Sequence, residues 1–230
     1  MFFCHGDFCI IPNEPGLYAF YIDFSKLNPI DIQNVVRLLR LSRSKIEVKS
    51  IHGYGVSYSL KGQPDTNFSR GGEKVLSADI EKDSAWTDAV AVLRNLYADS
   101  HSCGLPFFNI VPPVYIGITE RTLKERVYEE HVDSLESYWQ DLQLLELRAT
   151  CQAASDSEFF FQSAKNELRV KDSFPLRAFY CCIPSTALRV FVLPSSKLFG
   201  TPLDQDSLKL QLNYLEDIMH ILTYPCLGKD

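Results

Sequence analysis

Tyr115-Ile116-Gly117-Ile118-Thr119-Glu120-Arg121-Thr122-Leu123-Lys124-Glu125-Arg126 is the stretch on which the fold turns. Val114 to Ile118 is mostly aromatic and β-branched, follows Pro112-Pro113, and reads as a strand. From Leu123 the apolar spacing becomes helical, and one long helix is expected to about Leu147. Working outward, Gly16-Leu17-Tyr18-Ala19-Phe20-Tyr21-Ile22, behind Pro15, reads as a second strand. Asn28-Pro29 opens a helix with Ile32, Val35, Val36 and Leu39 on its apolar side. Lys45 to Leu60 alternates loosely and predicts one or two strands. Residues 61–73 are rich in Gly, Pro, Asp and Asn and predict a loop, and Trp86 to Tyr97 carries helical spacing. Residues 174–183 and 187–193 are apolar runs that read as strands, the first including Cys181-Cys182. Asp206-Ser207 is expected to cap a last helix with Leu208, Leu212, Leu215, Met219 and Leu222 in its stripe, stopped by Pro225. The expected class is α+β: a small mixed or antiparallel sheet flanked by helices.

Composition narrows the function classes. A chain of 230 residues with 46% hydrophobic and 23% charged residues can bury a sizeable core, as one domain with an insertion or as two small ones. Its apolar runs are short and broken by charge, so no membrane span is expected. The opening residues Met1 to Asp7 lack a basic, then apolar, leader, which sets an expectation of a cytoplasmic protein. Seven irregularly spaced cysteines fit reduced thiols better than a disulfide framework. Cys4, His5 and Cys9 have no second ligand pair at zinc spacing.

A net charge of −6 argues against a generic polyanion binder. The charge is uneven, however. Arg37, Arg40, Arg43, Lys45 and Lys49 stand against Glu47 alone. Arg37, Arg40 and Arg43 share one side of a helix, which is either a solvated face or a DNA contact.

Two short motifs carry a resemblance. Gly16-Leu17-Tyr18 and Tyr115-Ile116-Gly117 are similar to the hallmark strands of GIY-YIG nucleases, and Leu123-Lys124-Glu125-Arg126 resembles the helix that bears their arginine. Glu216, nine residues before Pro225, resembles their metal-binding glutamate on a last helix. The likeness covers residues 14–23, 112–140 and roughly 186–228. It implies a GIY-YIG-like core at 1–24 and 111–230, with an inserted α/β subdomain at 25–110 for DNA or partner contact. Three positions depart from the family pattern. Tyr18 and Tyr115 are 97 positions apart where the family has a short hairpin. His131 stands five residues after Arg126, not four. Gly228 takes the place of an asparagine.

The resemblance implies a metal-dependent endonuclease that hydrolyses phosphodiester bonds in DNA, in a restriction, defence, repair or mobile-element setting. The alternative is a catalytically degenerate module that binds nucleic acid or protein. In the nuclease reading Glu216 holds Mg²⁺ (or Mn²⁺), because one carboxylate leaves metal sites open for water and substrate oxygens. Arg126 clamps the scissile phosphate, a task suited to a planar, permanently charged guanidinium. Tyr115 is base or proton relay, and Tyr18 orients water or phosphate beside it; the other reading of both is packing within the sheet. His131 falls inside the apolar stripe between Val127 and Leu135, as a buried or a catalytic histidine. Lys124 joins Arg37, Arg40, Arg43, Lys45 and Lys49 as an expected DNA contact. Cutting both strands with a single-site enzyme needs two copies or sequential nicks, so a homodimer is expected, or a protein partner on the insertion.

Overall fold

The computed structural model describes residues 2–43, 47–53, 56–61, 88, 91–92, 113–153, 157–200, 204–223 and 227. Strand β1 (Phe2–Cys4) opens the chain and β2 (Gly16–Ile22) follows a short 3-10 turn. Helix α1 (Pro29–Arg43) leads to a separate two-stranded sheet of β3 (Glu47–Gly53) and β4 (Val56–Lys61). After β5 (Tyr115–Thr119) comes a π-helical segment, Glu125–Val132, which runs directly into α2 (Asp133–Gln140). Helices α3 (Leu142–Ala153), α4 (Ser157–Asn166) and α5 (Phe174–Tyr180) precede β6 (Leu188–Pro194), the short α6 (Ser195–Phe199) and α7 (Gln205–Thr223). The protein is therefore α+β, with a four-stranded antiparallel sheet in the order β1-β6-β2-β5.

The two motif strands pair directly. Tyr18 stands opposite Gly117 and Phe20 opposite Tyr115. Side chains of directly paired residues share a face of the sheet, so Tyr18, Phe20 and Tyr115 project together. Both hallmark glycines have steric causes. A Cβ on Gly117 would lie 2.6 Å from the Tyr18 hydroxyl and 2.7 Å from Cζ of that ring. One on Gly16 would lie 2.5 Å from the Leu193 carbonyl oxygen of the neighbouring strand. Tyrosine at position 18 and glycine at 117 thus form one packing unit.

A long excursion joins β2 to β5. It leaves after Ile22 and returns at Val114, whose N–H donates to the Phe20 carbonyl at 2.8 Å. Its exit is fixed by a buried ion pair: Arg189 Nε donates to Asp23 Oδ2 at 2.7 Å, with both side chains almost wholly buried. Asn28 caps α1 by accepting from the Asp31 N–H at 2.8 Å, and Pro29 suits the first turn. Leu27, Ile32, Val35 and Leu38 then join the same core as Tyr18, Phe20, Val127, Leu135 and Val190. The first helix of the excursion is thus packed onto the main core. The loop expected over 61–73 and the helical run from Trp86 lie almost wholly outside the described residues.

Three expectations are corrected. Residues 174–183 do not form a strand: Phe174–Tyr180 is a helix with Pro175 in its first turn. Cys181 and Cys182 follow that helix, and Cys182 takes a left-handed φ of 59°. The single helix expected to Leu147 breaks at Asp141, whose Oδ1 accepts from the Gln143 and Leu144 N–H groups at 2.9 and 3.1 Å, so it caps α3. The cap of the last helix is Asp204, accepting from the Ser207 N–H at 3.0 Å, one turn before its expected apolar stripe begins at Leu208. Strand β1 went unread; three residues are too few for a periodic signal, and it is held by pairing with β6. Among the described residues no helix is long and apolar enough to cross a membrane.

Candidate functional site

The helix after β5 begins with a reciprocal cap. Glu125 N–H donates to Thr122 Oγ1 at 3.1 Å, and the Glu125 carboxylate accepts from the Thr122 N–H at 3.5 Å. That cap sets Arg126 in the first turn, half-buried beside the sheet. From there the winding is π-helical, with backbone bonds spanning five residues in place of four. Residues i and i+5 therefore share the face that i and i+4 share in an α-helix. This accounts for His131 standing five positions after Arg126: both reach the same tyrosine. Arg126 Nε lies 3.3 Å from the Tyr18 hydroxyl and His131 Nε2 lies 2.8 Å from it.

Tyr18 is fully buried, so its hydroxyl needs partners, and these two supply them. A guanidinium can only donate. The hydroxyl accepts from Arg126 and shares a hydrogen bond with His131 Nε2, in which the imidazole tautomer decides which group donates. Burial, and then the Arg126 charge, hold His131 down to about 3, well below the ordinary value near 6.5. It is a neutral, buried histidine.

Arg126 also donates to Glu130, which in turn accepts from Arg121. Burial disfavours the guanidinium charge, but Tyr18 and Glu130 outweigh it and keep Arg126 ionised. Glu130 loses some hydration, yet its two arginines hold it below the usual carboxylate range. Tyr115 is pushed above its ordinary value by burial first and also by Glu216, against the opposing pull of Tyr18 and Arg126. Tyr18 is raised further, by burial and by Tyr115. Both phenols are neutral near pH 7.

These groups surround a cleft of ≈ 550 Å³. Tyr115, Arg126, Glu130, His131 and Glu216 line it, with Lys171, Asp172, Arg177 and Asp217 adding charge. Phe174, at the start of α5, stacks on Tyr115 at 4.7 Å and on Phe20 at 4.6 Å, and so ties the motif strands to the helical layer. Helix α7 packs on β5 and β2 and carries Glu216 into the cleft, while Lys209 from the same helix pairs with Glu120 at 3.1 Å.

The expected site residues divide clearly. Tyr115, Arg126, His131 and Glu216 meet at one cleft, and Tyr18 lies beneath it through its bonds to Arg126 and His131. Lys124 is half-exposed and does not line the cleft. Arg37, Arg40 and Arg43 stand on α1 and Lys49 on β3, with side chains outside those described; Lys45 lies outside the described residues. Among the described residues no group of three or more His, Cys, Asp or Glu side chains could hold a metal ion. A cation here would rest on Glu216 and water, which suits a hard divalent ion that keeps most of its hydration.

Sequence reading missed Glu130 and Phe174. The first was open to detection, because it stands four residues after Arg126 at ion-pair spacing. The second lay in the run misread as a strand. No protein-family model matches the chain, and neither the curated proteins nor the solved structures contain a match.

Proposed function

We propose that this protein is a divalent-metal-dependent endonuclease of the GIY-YIG kind, cutting phosphodiester bonds in DNA. The observation that carries the reading is the convergence of Tyr115, Arg126, His131 and Glu216 on one cleft, with Tyr18 bonded beneath. These residues come from four separate segments, and nothing in local folding requires them to meet.

Arg126 binds a phosphate oxygen with the donors that Tyr18 and Glu130 leave over. Tyr18 fixes the tilt of that guanidinium, and His131 fixes Tyr18. Tyr115 is neutral and sits between Arg126 and Glu216, placed to hold the attacking water and to pass on its proton. Glu216 is the residue that would hold Mg²⁺ or Mn²⁺. When bound, such an ion supplies Lewis-acid stabilisation of charge building on the phosphate. It would also offset the Glu216 charge that now disfavours ionisation of Tyr115.

A second reading, docking on nucleic acid or protein without cutting, draws support from the cleft's charge. Glu130, Asp172, Glu216 and Asp217 outnumber Arg126, Lys171 and Arg177. Supercoiled plasmid separates the two readings. The native protein should nick it with Mg²⁺ or Mn²⁺, and Arg126→Ala and Glu216→Ala should each lose about 10²- to 10³-fold in rate. Plasmid binding without nicking by the native protein would favour docking. Equal nicking by both variants would refute the site.

A further inference from the structure

We propose that Arg121 and Arg126 form a two-arginine phosphate-binding pair, and that Glu130 is an internal stand-in for the substrate, displaced when a phosphodiester strand enters. This deepens the nuclease reading and rests on it for the identity of the natural ligand. Three observations support it. Glu130 spans both arginines, one through each carboxylate oxygen: Arg121 Nη2 donates to Oε1 and Arg126 Nη1 to Oε2. A carboxylate held in this way by two guanidinium groups offers the charge and oxygen geometry that a phosphate offers. The bridge also lies where a strand could reach it: Arg121 is 64% exposed, and Glu130 and Arg126 about a third exposed. An ion pair this wet holds weakly and exchanges readily for a more highly charged anion. Finally, Arg126 and Glu130 line the cleft that holds Tyr115 and Glu216. A strand crossing from Arg121 to Arg126 therefore runs toward those groups.

Glu130 stands at ordinary ion-pair spacing from Arg126, and the π-helical winding gives the next position, His131, to Tyr18. With His131 serving as partner to Tyr18, the residue four after Arg126 is free to face the two arginines. The protein thus holds its own clamp partly neutralised until substrate arrives. Weak ground-state binding also favours release of a cut strand.

The test uses the full chain with chelator present, so that binding is read without cutting. The probes are inorganic pyrophosphate and a fluorescein-labelled twelve-nucleotide single strand. Glu130→Gln keeps the shape and removes the charge. It should bind both probes roughly three- to tenfold more tightly than the native protein, with a steeper salt dependence. Arg121→Ala in that background should remove most of the gain. Unchanged or weaker binding by a folded Glu130→Gln protein would overturn the proposal, as would a gain that survives loss of Arg121. In the native protein, the Glu130 carboxyl carbon resonance should titrate at a higher pH once pyrophosphate is bound; an unshifted titration also counts against displacement. Tighter pyrophosphate binding by a protein that cuts no plasmid would sink the nuclease reading and leave the arginine pair standing.

Discussion

Acid should destabilise this protein in a window set by His131. The folded site holds His131 at about 3, because the ring is buried and Arg126 stands beside it. The unfolded chain returns it to about 6.5. Below that value the unfolded state takes up a proton that the folded state refuses, so stability is complete at neutral pH and falls as the pH drops. For a single site of this kind the loss is about 2 kcal/mol at pH 5 and about 3 kcal/mol at pH 4. Glu130 and Glu136 are held below the usual carboxylate range, and their losses begin only as pH falls toward 4. The interval from pH 6.5 to 5 therefore reports the histidine. Urea unfolding followed by circular dichroism every half pH unit measures it, for the native protein beside His131→Gln. The variant keeps an acceptor for the Tyr18 hydroxyl and should be less stable at pH 7, but flat over that interval. Equal slopes in the two proteins would show that His131 is not buried against Tyr18 and Arg126, and the site geometry would fall with it.

Other outcomes follow from single contacts. Gly117→Ala should cost about 1–3 kcal/mol through overlap with the Tyr18 ring. Combined with Tyr18→Ala its penalty should shrink, and strictly additive costs in a double-mutant cycle would refute that contact. Asp23→Ala removes the carboxylate that neutralises buried Arg189 and should cost about 3–5 kcal/mol in chemical denaturation, against well under 1 kcal/mol for an exposed pair such as Lys209–Glu120. Tyr18→Phe should cost about 1–3 kcal/mol, because it leaves His131 Nε2 and the Arg126 Nε–H without their hydroxyl partner; a neutral result would mean that water replaces the hydroxyl.

Much of the sheet and of the cleft was legible in the residues. Gly-Leu-Tyr and Tyr-Ile-Gly read as short aromatic strands from composition, whereas their pairing was implied only by the resemblance. The place of His131 within an apolar stripe left burial and catalysis open, and the ring is buried. The failures have physical causes. Residues 174–183 are apolar but for Arg177 because most of α5 is enclosed, so no period separates helix from strand, and only Pro175 hinted at a helix start. Asp141 both ends one helix and caps the next, which apolar spacing does not register. The π-helical winding has no residue signature. Its trace is the five-residue spacing of Arg126 and His131, which both reach Tyr18.

The long sequence separation of the paired strands β2 and β5 has a bearing on how the chain folds. The central strand β2 has two neighbours, β5 and β6, and both are distant in sequence. Compared with a hairpin turn of about ten residues, closing the β2–β5 loop spans roughly three doublings of length, at about 0.6 kcal/mol each. No local hairpin can seed the four-stranded sheet, so folding is expected to be slow for the chain's size, with helices between β5 and β6 forming ahead of it. During synthesis the segment Gly16–Ile22 leaves the ribosome well before either partner strand exists. It carries no charged residue and is buried along nearly its whole length once folded. Until β6 is complete its edges are open to other chains, so the residues that build the site are also the ones most exposed to aggregation on the way to it.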